Sequence, residues 1–373
     1  MLSTKKGRIA VAFLMACMLA LPTSGRAAEG TAIDWYGFFK LDMAYDSARS
    51  SHGNFAMWTR NYPVDDATAI TSITARQTRI GFDVAREEMK GKLEFDFYGG
   101  PSAENKNFLQ LRKAYVDLPL GAVSLRAGQD SDLISPLVPA TVNYTVCWGV
   151  GNIGYRRPQL RIYQQSGGLY WGLALARNIS PDLNGDGIVD GNAGTPIAQG
   201  RVAYSLQSGD MKITVGGSGH YGIMDSPGAA EEDYNSWSAN GEIKVVVNPK
   251  LTVLGEFYTG SNMATYFGSI LNADSADGLA SSGGWANVQY KASDLLALSL
   301  GGSLDSVDED DLAGEGARSS NLVIFGNAQY HLGSGVKTGI ELSHWTTEFP
   351  HAPAGMESKP TSLRLQFSVL GSF

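Results

Sequence analysis

The chain has 373 residues, of which 43% are hydrophobic and 18% charged, with 45 glycines and a formal charge of −8 at pH 7. So acidic a surface excludes nucleic acid as a partner. Two cysteines, one of them inside a leader, exclude an intramolecular disulfide framework.

The first stretch, "MLSTKKGRIAVAFLMACMLALPTSGRAAEG", sets Lys5, Lys6 and Arg8 before an apolar run from Ile9 to Leu21, followed by Pro22 and small residues. This is the pattern of a secretory signal peptide, too short to span a bilayer and stay. Gly25 and Ala27 suit the −3 and −1 positions, so cleavage is expected after Ala27 or Ala28, dividing the chain into a leader (1–27) and a mature domain (28–373). "LMAC" loosely resembles a lipoprotein box, but the apolar run continues past Cys17. Cleavage takes four positive charges (Lys5, Lys6, Arg8, Arg26) from −8, which leaves −12, and keeps Cys147 as the one cysteine.

Beyond the leader the dominant period is two. In "LEFDFYG", Leu93, Phe95 and Phe97 alternate with Glu94, Asp96 and Tyr98; in "WSANGEIKVVV", Ile243, Val245 and Val247 oppose Asn240, Glu242 and Lys244. Alternating runs predict about sixteen strands: 33–45, 73–84, 90–98, 107–118, 121–129, 157–165, 168–177, 199–207, 210–220, 234–247, 250–259, 284–291, 295–305, 320–331, 335–346 and 361–373. Tight links such as "PL", "SG" and "NP" alternate with long ones such as 46–72, 130–156, 178–198, 260–283 and 347–360. A barrel threaded through a bilayer has this asymmetry between its rims, and closure removes the unpaired edges that hydrocarbon does not tolerate. The predicted fold is an all-β transmembrane antiparallel β-barrel with short periplasmic turns and long extracellular loops. The last strand, "SLRLQFSVLGSF", then pairs with the first, "IDWYGFFKLDMAY", and Arg364, Gln366 and Ser368 continue the inward set of Lys40 and Asp42.

These segments carry a resemblance. "GFFKLD", "TARQTRIGFDV", "GKLEFDFYG", "LQLRKAYVDL" followed by "VSLRAGQD", and a terminal Phe resemble Gram-negative outer-membrane porins, in their order the sixteen-stranded, trimeric DcaP-like porins. The likeness covers roughly residues 33–130 and the last strand. It implies an outer-membrane location, membrane lipid and two further copies of the chain as partners, small hydrophilic solutes as cargo, and no enzymatic activity. Two features depart from the family: no helical extension is seen before Ile33, and "GQD" leads into "SDLISPLVPATVNY" instead of a Trp-containing continuation.

In porins of this architecture the third long loop folds into the bore; here that loop runs from Asp130 to about residue 156. Flanking strands place Arg79, Lys92, Arg112, Arg126 and Arg161 on the inward parity, while Asp130 and Asp132 open the loop. With Lys40, Asp42 and Arg364 these form the expected lining. A basic wall facing loop carboxylates would favour anions, small carboxylates in particular; alternatively the arginines neutralise Asp83, Glu94 and Asp96 across strands. Lys113 breaks the pattern, since strict alternation points it outward at a cost of about 2–4 kcal/mol in lipid; a subunit contact or a bulge would shelter it.

"DLNGDGIVDGN" places Asp182, Asn184, Asp186, the Ile188 carbonyl and Asp190 at positions 1, 3, 5, 7 and 9 of a calcium-loop pattern, with Ala193 where a bidentate Glu belongs. It reads either as a weak structural calcium site or as a solvated acidic loop; no other cofactor is expected. Cys147 reads as a buried, inert thiol. Ser218 and His220 share one inward face, the sole hint of a hydrolase. The principal rival to a porin is a non-conducting barrel whose loops bind a partner or surface; a soluble secreted β-protein leaves the loop alternation unexplained.

Overall fold

A computed structural model describes residues 30–51, 53–99, 107–178, 194–224 and 233–373. The strands are β1 (Thr31–Asp46), β2 (Ile70–Thr74), β3 (Arg79–Arg86), β4 (Met89–Gly99), β5 (Phe108–Leu120), β6 (Val123–Ser131), β7 (Arg156–Ser166), β8 (Leu169–Ala176) and β9 (Ile197–Ser208). They continue with β10 (Met211–Met224), β11 (Tyr234–Asn248), β12 (Leu251–Ser261), β13 (Ala280–Lys291), β14 (Leu296–Val307), β15 (Ser320–Gly333), β16 (Val336–Glu348) and β17 (Thr361–Ser372). Each pairs antiparallel with its neighbour in sequence, and β17 returns to β1 from Phe38↔Ser372 to Asp46↔Arg364. β2 and β3 both lie against β1, at its two ends, and together form one stave. The cylinder therefore has sixteen staves and no free edge.

The predicted strand 73–84 is thus interrupted. Ala75–Thr78 makes a turn, with the Thr78 amide donating to Ala75 O at 2.9 Å, while the Lys40 amide turns to Thr78 Oγ1 at 3.1 Å. The polar run "ARQT" supplies the side chains that replace the lost ladder bonds.

Alternation holds along the staves. On β1, Lys40, Asp42, Ala44 and Asp46 are buried inside, and Phe39, Leu41, Met43 and Tyr45 are exposed outside. The exterior is a continuous apolar belt of Leu, Val, Ile and Phe, with Trp35, Tyr204, Tyr290 and Tyr330 toward the short-turn rim and Tyr45, Tyr221 and Trp237 toward the other. Such a belt bounded by aromatic rings is the surface a bilayer demands. Phe373 closes the seam: its amide and carbonyl exchange hydrogen bonds with Gly37, and its ring packs 5.3 Å from Phe39. A Cβ on Gly37 would meet that ring at 2.7 Å, so only glycine admits it.

Lys113 faces inward. The β4–β5 register slips between Glu94↔Lys113 and Phe95↔Leu111, so a bulge at Arg112 turns both basic side chains into the barrel. The outward lysine expected from strict alternation is corrected by that one extra residue. Residues 1–29, which include the expected leader, and the segment carrying Asp182, Asn184, Asp186, Ile188 and Asp190 lie outside the described residues.

Candidate functional site

Residues 132–155, between β6 and β7, do not stay above the rim. Thirteen of their side chains are buried, including Leu133, Ile134, Val142, Tyr144, Cys147, Val150 and Ile153. The loop runs round the inner wall, held by polar side chains that accept its backbone N–H groups. Leu133 N donates to Gln199 of β9, Ser135 N to Ser218 of β10, and Leu137 N to Glu256 of β12. Ala140 N donates to Asn287 of β13, and Val142 N and Asn143 N both donate to the Glu341 carboxylate of β16, at 2.6 and 3.3 Å. Gln366 and Lys40, on β17 and β1, donate to Val142 O.

The return leg crosses the barrel. Asn321 Nδ2 donates to Gly149 O at 2.7 Å, and Ser303 Oγ donates to Val150 O. Gly151, at φ 110°, presses onto β13 and β14 so closely that a Cβ would lie 2.3 Å from Leu304 O. A second loop, 262–279, meets it from above, through Gly149 N to Phe267 O and Gly154 N to Tyr266 O. Buried groups must find partners in a site like this, which is why the far wall carries isolated acids amid apolar alternation.

The wall from β3 to β8 carries the arginines, and the loop touches it through Tyr144. Arg112 Nε lies 2.7 Å from Glu94 and its Nη1 2.5 Å from Asp96, while the Tyr144 hydroxyl receives from Arg112 and donates to Asp96. Arg79 approaches Glu94 at 3.7 Å. Arg126 pairs with Asp117 and Asp130 and stacks on Tyr115 at 3.9 Å. Lys113 and Arg161 also converge on Asp130, at 2.9 and 3.7 Å. Lys92 pairs with Asp83 at 2.7 Å. Asp130 therefore belongs to the basic wall and does not face it from the loop.

Asp132 locks the start of the loop. Arg157 Nε stands 2.7 Å from it, though not aimed along a hydrogen-bond line, and both groups are fully buried. Gln199 donates to Asp132 at 2.7 Å, and the Arg157 guanidinium lies 3.7 Å over Tyr266. Lys40, Asp42 and Arg364 point inward but are covered: Lys40 pairs with Asp42 at 3.0 Å, and Arg364 with Asp46 at 2.7 Å beneath the first loop.

Alternation did not disclose a strip of rings beside the arginines, half-exposed except for the buried Tyr144. Phe55, Tyr98, Tyr144, Trp148, Tyr155 and Phe267 follow one another at centroid distances of 4.6 to 6.4 Å, with Tyr98–Tyr144 and Trp148–Phe267 stacked. Arg76 caps Tyr98 and Arg156 caps Tyr155. Five of the six rings come from long loops, whose course pattern cannot give.

Cys147 is buried among Ala56, Val150, Val323, Phe325 and Trp345, and burial pushes its thiol up. Ser218 is occupied by Ser135 N, and both His220 ring nitrogens meet other serines, Ser238 at 2.8 Å and Ser236 at 3.0 Å. Among the described residues no cluster of three His, Cys, Asp or Glu side chains is arranged to hold a metal.

Comparison with known proteins follows the same lines. A family model described as DcaP outer membrane protein matches residues 22–276. No curated protein matches the chain. Among solved structures the fold is similar to the outer membrane channel DcaP of Acinetobacter baumannii (TM-score 0.76, 16% identity, 94% of this chain and 100% of that one). It is also similar to an anion-selective porin from Comamonas acidovorans (0.61, 12%, 92% and 100%) and to the trimer form of OmpT of Vibrio cholerae (0.56, 11%, 92% and 100%). At these identities the likeness speaks for the fold.

Proposed function

The chain belongs to the DcaP outer membrane protein family, and from that premise we propose that it is a porin passing small hydrophilic solutes by passive diffusion with a preference for anions, small carboxylates included. Its place is the Gram-negative outer membrane, and its closed barrel is that of the porins. The preference rests on one observation: in most wall pairs the cation wears the water-facing surface and the carboxylate is tucked behind it. Side-chain exposure is 20% for Arg79 against 8% for Glu94, 27% for Lys113 against 3% for Asp130, and 16% for Arg126 against 3% for Asp130; Arg126–Asp117 is nearly even and Lys92–Asp83 runs the other way. On the far wall Glu256 and Glu341 are spent on loop amides. Formal neutralisation thus still leaves a passage lined by donors, which lowers the barrier for anions.

Reversal potential under a potassium chloride gradient tests this. Chloride should permeate better than potassium, and Arg79→Ala with Arg126→Ala should shift the potential toward cation permeation. A native channel that prefers potassium refutes the reading.

Three further parts belong to it. Homotrimeric assembly is supported by the trimer form of the similar OmpT fold. Export through the 1–27 leader is supported by its charge and apolar pattern. Calcium binding by Asp182, Asn184, Asp186, the Ile188 carbonyl and Asp190 is supported by ligand spacing alone; the missing twelfth ligand sets affinity near the range of extracellular modules, about 10⁻⁴–10⁻³ M. Calorimetric titration of the purified channel should show binding that Asp182→Ala with Asp186→Ala abolishes, and absence of heat in the native protein contradicts it.

A further inference from the structure

We propose that the extracellular loops hold an anion-binding site, formed by Arg49, Arg60 and Arg318, for a phosphate or carboxylate carried on a sugar-sized ligand. The first long loop (47–69) meets the loops 308–319 and 349–360 around a cleft of about 570 Å³, lined by these arginines with Trp58, Tyr62 and Phe349. Its size falls among small-molecule sites, and its lining contains no Asp or Glu. Seven arginines of the barrel interior pair with carboxylates. Among the described residues none of these three does.

Arg318 makes the case sharpest. Its Nε, Nη1 and Nη2 donate to the carbonyls of Ile270, Gly316 and Leu271 at 3.0, 3.2 and 3.1 Å, and the guanidinium lies 4.3 Å over Trp58. Carbonyl dipoles orient a cation but do not cancel its charge, and burial without a counterion pulls Arg318 down to about 10. A bound anion supplies the missing charge. Arg60 is fixed through Nε and Nη2 to Ser51 O, at 3.2 and 2.7 Å, which leaves Nη1 unused, and Arg49 is exposed with no side-chain hydrogen bond among the described residues. Planar guanidinium forks suit phosphate and carboxylate oxygens, and the Tyr62 ring at the cleft offers a face for the ring that carries them. Such a group comes either from a phosphorylated glycolipid of the surrounding outer leaflet or from a free solute approaching the lumen.

Trp58 reports the site, because an anion held by Arg318 changes the surroundings of the indole; Trp58→Phe assigns the signal. The detergent-solubilised mature channel is titrated in one arm with inorganic phosphate at constant ionic strength. In the other it meets mixed micelles of lipid A and phosphatidylethanolamine, or of phosphatidylethanolamine alone. A saturable fluorescence change is expected, weakened at least tenfold by Arg49→Ala with Arg60→Ala. Since Arg60 tethers its loop, Arg49→Ala alone, which breaks no hydrogen bond, is read beside it and should weaken binding several-fold. Saturation by phosphate identifies a solute site; saturation by lipid A alone identifies a lipid site. No saturable response in either arm, or a double variant that binds as tightly as the native channel, overturns the proposal.

Discussion

At the scale of single residues the barrel interior is a set of charged side chains whose neighbours were brought together by the loop. Asp132 and Arg157 show the consequence: two fully buried charges at 2.7 Å, with Gln199 bonded to the carboxylate. Removing one partner strands the other, so Asp132→Ala should cost about 3–5 kcal/mol in urea unfolding of the detergent-held barrel followed by tryptophan fluorescence. A loss of under about 1 kcal/mol, typical of an exposed pair, would mean that water reaches Arg157. Parity alone made some of this legible. Lys40, Asp42 and Arg364 alternate with apolar residues and do point inward. Their covering by the first and third loops was not legible, because it depends on chain far away in sequence. Lys113 broke the alternation and left two readings, a subunit contact or a bulge; the register against the partner strand decides for the bulge. Glu256 in "VLGEFY" and Glu341 in "GIELSHW" were missed, although each is an acid in an apolar run; their meaning lies in the loop amides they accept.

At the scale of elements, strand existence followed from alternation, while the break at Ala75–Thr78 and the path of residues 132–155 did not, since neither is a matter of period. The 262–279 loop illustrates how much structure lies beyond pattern. Asn262, Phe267, Ser269, Ile270 and Leu271 all adopt positive φ, which L-residues accept only when packing over-determines them. Part of that packing is Asp274, which receives the Ala264 amide at 3.2 Å and the Tyr234 hydroxyl at 3.4 Å. Burial pushes its carboxyl up from 3.8 to about 6. The folded state thus holds this proton more tightly than the unfolded chain, so its stabilisation is full below 3.8 and is lost as pH rises through about 6. Amide exchange in 262–279, corrected for intrinsic rates, should be slower at about pH 4 than at about pH 7, and Asp274→Asn should abolish the difference. Equal protection at both values contradicts the assignment.

At the scale of the whole molecule, one physical requirement organises the chain: in hydrocarbon every backbone polar group needs a partner, so the sheet must close. The β1–β17 ladder and the Phe373–Gly37 bonds meet that requirement, and the alternation of short and long connections orients the cylinder between two different rims. The arginine wall, the ring strip and the loop that narrows the bore have a purpose only if water and solute pass between them. Planar-bilayer recording of the purified mature protein tests this most directly. The account predicts discrete current steps, each closing through three equal substates as expected of three bores in one assembly. Protein that inserts stably yet carries no stepwise current would contradict it, and would make the barrel a scaffold for its loops instead of a channel.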